Sequence, residues 1–319
     1  NPEAKPYAHE AGRKALDAHL KRRYGSFAYA EDSAYLFVYD ARFDTLKDRP
    51  LVSIIIPTKD HASDLKTCVE SILQKSTYQN FEILILDNRS SEEATFSCFQ
   101  DLQKQDGRIR IVEAPFAFNW SKLNNLGIQN SRGEVLIFLN NDTAVISPDW
   151  IERLAENALR PDIGVVGALL LYPDETIQHA GVVVGMRGWA DHVYKGQPLR
   201  HAADMFVSPM VNRDVLAVTG ACMAVSRKTL QKIGCFDESF IVCGSDVELC
   251  LRAGKHGLGV LYNARVRLYH MESKSRNTAE IPSIDFVRSE EAYQEYLKNG
   301  DPFYNKNLDS NSTKPRIKL

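Results

Sequence analysis

From Leu51 onward, apolar runs bounded by polar stops alternate with stretches of helical spacing. Residues 51–56 are apolar except for Ser53 and stop at Pro57, the pattern of a strand buried on both faces. Leu65, Cys68, Val69, Ile72 and Leu73 then recur at helical spacing, with Ser63 or Asp64 as the expected N-cap. Residues 81–86 predict a second buried strand, ending at Asp87. Ser90 and Glu93 have the spacing of a capping box, which predicts a helix through Phe96, Phe99 and Leu102. A short strand over 109–112, a helix over 121–130 and a strand over 135–139 follow, the last running into Asn140, Asn141 and Asp142. Ser147, with Pro148 at the first helical position, is expected to open the next helix.

The second half is more mixed. Residues 163–171 and 181–184 predict strands, and the Gly-, His- and Asp-rich stretch 185–209 predicts a loop. Strand pattern returns over 215–225, followed by a helix over 226–233 closed by Gly234. A helix over 246–254, strands near 258–261 and 266–270, a helix over 286–298 and an extended tail complete the reading. Before residue 50, a basic helix over 12–23 and an aromatic, extended stretch over 33–43 stand apart from the rest. The strand–helix alternation argues for an α/β fold, with a mostly parallel sheet covered on both faces.

Charge narrows the function. The 319 residues carry 39 Lys+Arg against 41 Asp+Glu, a net charge of −2. The basic excess of a protein that lives on nucleic acid or on an anionic membrane is missing. No apolar run approaches the ~20 residues of a spanning helix, and no signal peptide is visible. A start at Asn1 is the expected mark of a segment from a longer chain, whose neighbouring domains would be partners. Six cysteines show neither CxxC pairs nor zinc spacing, so they are expected as reduced thiols in or near the core of a cytoplasmic protein.

Three predicted strands end in polar clusters: Pro57-Thr58-Lys59-Asp60, Asp87-Asn88-Arg89 and Asn140-Asn141-Asp142. Any one is an ordinary turn. Three at the carboxyl ends of strands in one sheet point to a ligand crevice. Neither GxGxxG nor a P-loop is present. A diphosphate would then need another device, and a hard cation beside Asp142 is the obvious one.

The stretches from Ser53 to Asp60, Glu82 to Asn88 and Gly133 to Asp142 resemble the family 2 glycosyltransferases of the GT-A fold. So do those from Gln178 to Gly181, Val218 to Cys222, Gly234 to Glu238 and Asp246 to Arg252, with Tyr269-His270. The likeness covers residues 50–305 and leans toward bacterial enzymes of surface-polysaccharide assembly, rhamnosyltransferase-like members included. It implies a Rossmann-like, mostly parallel central sheet with helices on both faces and helical terminal extensions. The implied division is an extension or linker over 1–49, a GT-A domain over 50–275, and a lid, helix and tail over 276–319.

The same resemblance assigns roles. Pro57, Thr58 and Asp60 match the first nucleotide loop. Asp87 matches the acid that recognises the base, with Asn88 beside it; a carboxylate there can accept the imide N–H of uracil or thymine. Asn119, Lys122 and Asn124 match the approach to the donor sugar and diphosphate, and Asn140 and Asn141 join them at the Asp-x-Asp motif, whose first Asp is here Asn140. Asp142 and His270 match the metal ligands, for Mn²⁺ or Mg²⁺. Asp246 matches the catalytic base; Ser245 precedes it where relatives often carry Glu or Asn, and Glu248 is the competing base. Lys274 and Arg276 are expected to close over the donor. His179, Trp189, Arg213, Thr219 and Glu248 are the acceptor-side candidates, with Trp189 either stacking on a sugar or anchoring its loop.

The implied activity is inverting, metal-dependent transfer from a nucleotide-diphosphate sugar, UDP or dTDP first, to a glycan hydroxyl in bacterial surface-polysaccharide synthesis. Lipid-linked acceptors at the inner membrane face are included. Two alternatives stay open: a non-catalytic glycan-binding or scaffolding module, and a sugar nucleotidyltransferase, whose glycine-rich first loop this sequence lacks. Glycosylation sequons at Asn88, Asn119 and Asn141 fall inside the predicted donor site and argue against a secretory setting.

Overall fold

The computed structural model describes residues 6–33, 35–199, 208–271 and 281–318. Two compact units divide at residue 50. In the first, α1 (Pro6–Tyr24) precedes an antiparallel pair, β1 (Ala28–Asp32) and β2 (Tyr39–Phe43). Its small core is Leu20, Ala28, Ala30 and Phe43, with Tyr24 packed edge-on against Phe43. The helix begins earlier than its apolar spacing predicted, and among the described residues of 33–43 the strand is confined to Tyr39–Phe43.

The second unit opens with β3 (Val52–Thr58), α2 (Ala62–Lys75), β4 (Phe81–Asp87), α3 (Glu93–Gln105), β5 (Ile109–Glu113), α4 (Trp120–Asn130) and β6 (Val135–Leu139). Next come β7 (Thr143–Val145), α5 (Trp150–Ala158), β8 (Ile163–Leu171), β9 (Ile177–His179), β10 (Val182–Val184), β11 (Ala190–His192), β12 (Arg213–Val215) and β13 (Cys222–Ser226). The unit ends with α6 (Arg227–Ile233), α7 (Ser245–Lys255), β14 (Gly259–His270) and α8 (Ser283–Asn299). One sheet has the order β12-β14-β8-β13-β6-β3-β4-β5, with β7 beside β14 and β9 beside β8. Pairing is parallel from β6 through β5 and again between β8 and β14. β13 runs antiparallel to both neighbours.

Burial on both faces explains the near-continuous apolar runs of β3, β4, β6 and β8. The fully buried charge among them is Glu82 in β4, 2 % exposed. Its carboxylate accepts from the Ser53 hydroxyl, the Arg132 amide and the Arg132 and Arg110 guanidiniums, which offsets the cost of burying it.

Several local expectations are overturned by distant partners. α2 is preceded by His61 in a left-handed conformation, with no side-chain cap. The Ser90 hydroxyl accepts from the Asp60 amide instead of capping α3. Ser147 accepts from the Arg267 amide, and α5 starts later, at Trp150. The strand expected over 215–225 breaks into β12 and β13, and the two late strands fuse into β14 across an irregular register between Asn263 and Arg267. Within 185–209, β11 pairs with β10 as a hairpin. The tail is not extended: it turns and docks on that hairpin, through the Asp301 carboxylate to the Val184 amide and through Arg187 and Tyr194 amides to the carbonyls of Ser310 and Thr313. Cys68, Cys98, Cys222 and Cys250 are buried thiols and Cys243 is half-buried; Cys235 is exposed beyond the Gly234 turn.

Candidate functional site

The carboxyl ends of β3, β4 and β6 are tied to one another. The Asn88 amide donates to the Thr58 carbonyl, and the Thr58 hydroxyl accepts from the Asn141 side chain at 2.9 Å. Asp60 and His61 both have φ 54°, and Arg89 has φ 64°. Side chains other than glycine hold such angles at a cost, and these three cluster after β3 and β4.

Asp60 is engaged by the neighbouring loop chiefly through one of its oxygens. Its Oδ1 accepts from the amides of Ser91 at 2.7 Å and Glu92 at 3.0 Å, at the start of α3. Burial raises its pKa, but those amides outweigh it and hold the carboxyl below its ordinary value. Asp60 is therefore a brace between the first two loops. Asn88 is corrected the same way: it is buried, and its amide donates to the carbonyls of Ala114 and Phe116. Asp87 accepts the Ser90 amide on one oxygen, 3.0 Å away, and is only half-buried, so the other oxygen retains accepting capacity.

At the start of α4, Asn119 is the N-cap. Its oxygen accepts from the Lys122 amide and its nitrogen donates to the Glu238 carbonyl, so both ends of the side chain are engaged in holding the start of α4. Lys122 is exposed, its ammonium 4.6 Å from the Phe116 ring centroid. Asn124 is fully buried; its nitrogen bonds the Trp120 carbonyl and its oxygen is an unbonded buried acceptor. Pro57 stays half-buried at the end of β3.

The pairing of β7 with β14 sets Thr143 opposite His270, and so brings Asp142 to it. Asp142 Oδ1 lies 3.3 Å from His270 Nε2, and the Asn140 amide lies 3.3 Å from the same nitrogen. Rotation of that amide by 180° presents its oxygen to the same point. His270 is buried, with Nδ1 unbonded. A carboxylate oxygen, an imidazole nitrogen and an amide thus meet at one point, and these donors fit Mn²⁺ or Mg²⁺. Among the described residues no group of three His, Cys, Asp or Glu could hold a metal, so remaining coordination would fall to a ligand's oxygens.

Asp246 lies in the first turn of α7, after Gly244, so it is not the helix N-cap. Its Oδ2 accepts from the Gly220 amide and its Oδ1 from the Val247 amide, each at 2.8 Å. The next residue, Ala221, accepts the Asn140 amide at 3.0 Å. Asp142, His270, Asn140, Ala221, Gly220 and Asp246 are therefore joined link by link. Glycine is required at 220: a Cβ there would lie 2.5 Å from Trp120 Cζ2. Gly220 lies within the 215–225 strand pattern and the Val218–Cys222 stretch of the resemblance, but neither it nor Trp120 is assigned a role from the sequence, because their contact joins segments far apart in the chain.

The acceptor-side candidates divide. Glu248 forms a bidentate pair with Arg252 on its own helix, and so is withdrawn as base and as acceptor contact. His179 is fully buried, Nε2 accepting from the Gly181 amide and Nδ1 3.0 Å from His192 Nδ1. Burial, with His192 and Arg213 nearby, drives its pKa well below the ordinary value; it is a neutral structural imidazole and does not reach a sugar. Trp189 is half-buried, its ring 5.9 Å from Phe286 and 5.8 Å from Tyr293, so it anchors its loop on α8. Arg213 donates to the Ala180 carbonyl and lies over the Tyr262 ring. Thr219 remains half-exposed beside Gly220. Lys274 and Arg276 lie outside the described residues.

A family model described as Glycosyl transferase family 2 matches residues 53–233. The O-antigen biosynthesis protein RfbC of Myxococcus xanthus is 40 % identical over 307 residues, covering 96 % of this chain and 24 % of that protein. An uncharacterized protein, y4gI, of Sinorhizobium fredii is 39 % identical over 314 residues, covering 96 % of this chain and 34 % of its own. The chain thus spans about a quarter to a third of these relatives' lengths. Among solved structures, GalNAc-T7 with UDP, GalNAc and Mn²⁺ superposes with a TM-score of 0.64 at 15 % identity, over 92 % of this chain and 59 % of that one. With its GT-A sheet and its matched motifs, the chain belongs to the family 2 glycosyltransferases.

Proposed function

We propose that this chain transfers a sugar from a nucleotide-diphosphate sugar, UDP- or dTDP-linked, to a hydroxyl of a glycan acceptor, with inversion, in assembly of a bacterial surface polysaccharide. The name of the Myxococcus relative supports the polysaccharide setting, and the UDP, GalNAc and Mn²⁺ of the GalNAc-T7 structure support a nucleotide donor and a divalent cation. One observation carries the reading: the Asp142–His270 pair and the Asp246 carboxylate are linked through Asn140, Ala221 and Gly220.

Asp246 takes the proton of the acceptor hydroxyl as its oxygen forms a bond to the anomeric carbon. The bond from that carbon to the diphosphate oxygen breaks on the opposite face, which inverts configuration. Asp142, His270 and Asn140 would hold the cation, which supplies charge neutralisation to the diphosphate. Asp87 is the base-recognising acid, using the oxygen that Ser90 does not occupy. Thr58 and Asn141 shape the floor of that site, with Pro57, Lys122, Asn124 and Thr219 around it. Asp60, Asn88 and Asn119 brace the loops that form the site. The active form is expected in the cytoplasm, at the inner membrane face where the acceptor is lipid-linked; no helix among the described residues is long and apolar enough to cross a membrane.

The test is release of nucleoside diphosphate from a panel of UDP-, dTDP- and GDP-sugars with Mn²⁺, alongside calorimetry with UDP. Turnover lost in Asp246→Asn with UDP binding intact, and Mn²⁺-dependent UDP binding lost in His270→Ala, are the expected results. A fully active Asp246→Asn sinks the base assignment. No turnover and no metal-dependent UDP binding in the parent would favour the glycan-binding module instead.

A further inference from the structure

Asp285, in the first turn of α8, is fully buried. Its carboxylate accepts from three consecutive backbone amides: Ile241 and Val242 at 2.7 Å and Cys243 at 3.0 Å. No cation is paired with it among the described residues. A buried carboxylate is tolerated only where its lone pairs are met, and here a concave run of N–H groups meets them. The three amides immediately precede Gly244, which enters α7 two residues before Asp246.

The same face of α8 continues the contact. Ser289 and Tyr293 follow at successive spacings of four and are each 2 % exposed. A Cβ on Gly244 would lie 2.6 Å from the Ser289 hydroxyl, so the two backbones approach as closely as glycine permits. Tyr293 bonds with Ser289, and Asp246 is among the charges acting on its phenol. On its other side the segment is gripped by α4: the Ile241 carbonyl accepts the Trp120 amide at 2.8 Å, and the Phe240 carbonyl accepts the Ser121 hydroxyl at 2.9 Å. The lead-in to Asp246 is thus held by carbonyls toward α4 and by amides toward Asp285.

We propose that Asp285 is a positioning residue for transfer: through the amides of residues 241–243 it fixes the entry of α7 and hence where the Asp246 carboxylate stands. The proposal rests on Asp246 being the base. It assigns a kinetic role to α8, which lies beyond the segment matched by the family model. None of the donor-side residues assigned above lies in α8, so its effect is expected on the chemical step and not on nucleotide affinity. Misplacing a catalytic group by about 1 Å costs as much as 100-fold in rate.

The substitution Asp285→Asn keeps the shape but turns an acceptor into a donor facing an amide. The expected result is a fall in kcat of about 10-fold or more, with KM for the donor that turns over and Kd for UDP with Mn²⁺ each within about twofold of the parent. Gly244→Ala, which disturbs the same contact from the other side, should give the same split and serves where Asp285→Asn does not fold, as judged by circular dichroism. Parent-like kcat in a folded Asp285→Asn, or a loss of UDP affinity as large as the loss of kcat, overturns the proposal. Asp246→Asn, run in parallel, separates the two ideas. An inactive Asp246→Asn beside a normal Asp285→Asn overturns only the positioning role, whereas an active Asp246→Asn overturns the base it depends on.

Discussion

Gly220→Ala should cost both stability and turnover, and the cost follows from one contact. The new methyl would lie 2.5 Å from Trp120 Cζ2, 2.6 Å from Cη2 and 3.4 Å from Asp246 Cβ. Carbon atoms rest about 3.5–4.0 Å apart, so something must move by about 1 Å. Trp120 cannot yield easily. Its amide is held by Ile241, and its ring lies 4.9 Å from that of Phe236, which in turn packs on the fully buried Phe138. The turn at 219–221 therefore gives, taking with it the Gly220 amide that bonds Asp246. Overpacking of this kind costs about 1–3 kcal/mol. At about 2–4 °C per kcal/mol for a domain of this size, the melting temperature should fall by several degrees. Turnover should drop by about 10- to 100-fold as the carboxylate loses its orientation. Differential scanning fluorimetry and nucleoside diphosphate release measure the two. The double variant Gly220→Ala/Trp120→Phe removes the clashing ring atoms, so its melting temperature should exceed that of Gly220→Ala alone, a non-additivity of about 1 kcal/mol. An unchanged melting temperature in Gly220→Ala, or strict additivity in the double variant, would refute the reasoning.

Two further outcomes concern stability. Glu82→Gln replaces one accepting oxygen by an N–H group facing donors while the exposed Arg132 and Arg110 guanidiniums stay solvated, and should lose about 1–2 kcal/mol in urea unfolding at neutral pH. Burial raises the Glu82 pKa, but the Arg132 amide and guanidinium with Ser53 bring it below the ordinary value. Its contribution is present above the ordinary carboxylate range and fades as pH falls through the depressed value, so the difference between parent and variant should shrink steadily as pH falls from the ordinary value through the depressed one. Asp301 behaves oppositely, because burial pushes its carboxyl up to about 6. Below pH ~4 it is neutral in both folded and unfolded chains; between there and pH ~6 only the unfolded chain loses the proton, so stability drains as pH rises. Relative to Asp301→Asn, the parent should lose about 2–3 kcal/mol between pH 4 and pH 8, and a pH-independent difference would contradict this.

The strands were legible because burial on both faces forces continuous apolar runs, as in 51–56, 81–86 and 135–139. The caps were not. Ser90 and Ser147 carry the local signature of helix starts, yet their hydroxyls serve the amides of Asp60 and Arg267, partners set by tertiary contact. In the candidate site, the neighbourhood of Asp142 and His270 was reached through family resemblance alone. The β7–β14 register that creates it joins segments far apart in sequence. Asp60, Asn88 and Asn119 had the right addresses, but their side chains are spent on backbone groups of adjoining loops. His179 read as a sugar contact because nothing local reveals that the β8–β9 pairing buries it. Asp285 was invisible for the opposite reason: an acid in the first turn of a helix is commonplace, and its three amides come from more than forty residues earlier.

The place of β14 in the sheet bears on how the domain can be divided. It lies between β12 and β8, although the family match ends at residue 233. A chain cut there would keep every strand from β3 to β13 yet strip β8 of its parallel neighbour along most of residues 163–171. An apolar strand left with an open edge is a template for another copy, and the expected product is an aggregate. Homology boundary and folding boundary differ here by one strand, and the polypeptide respects the second.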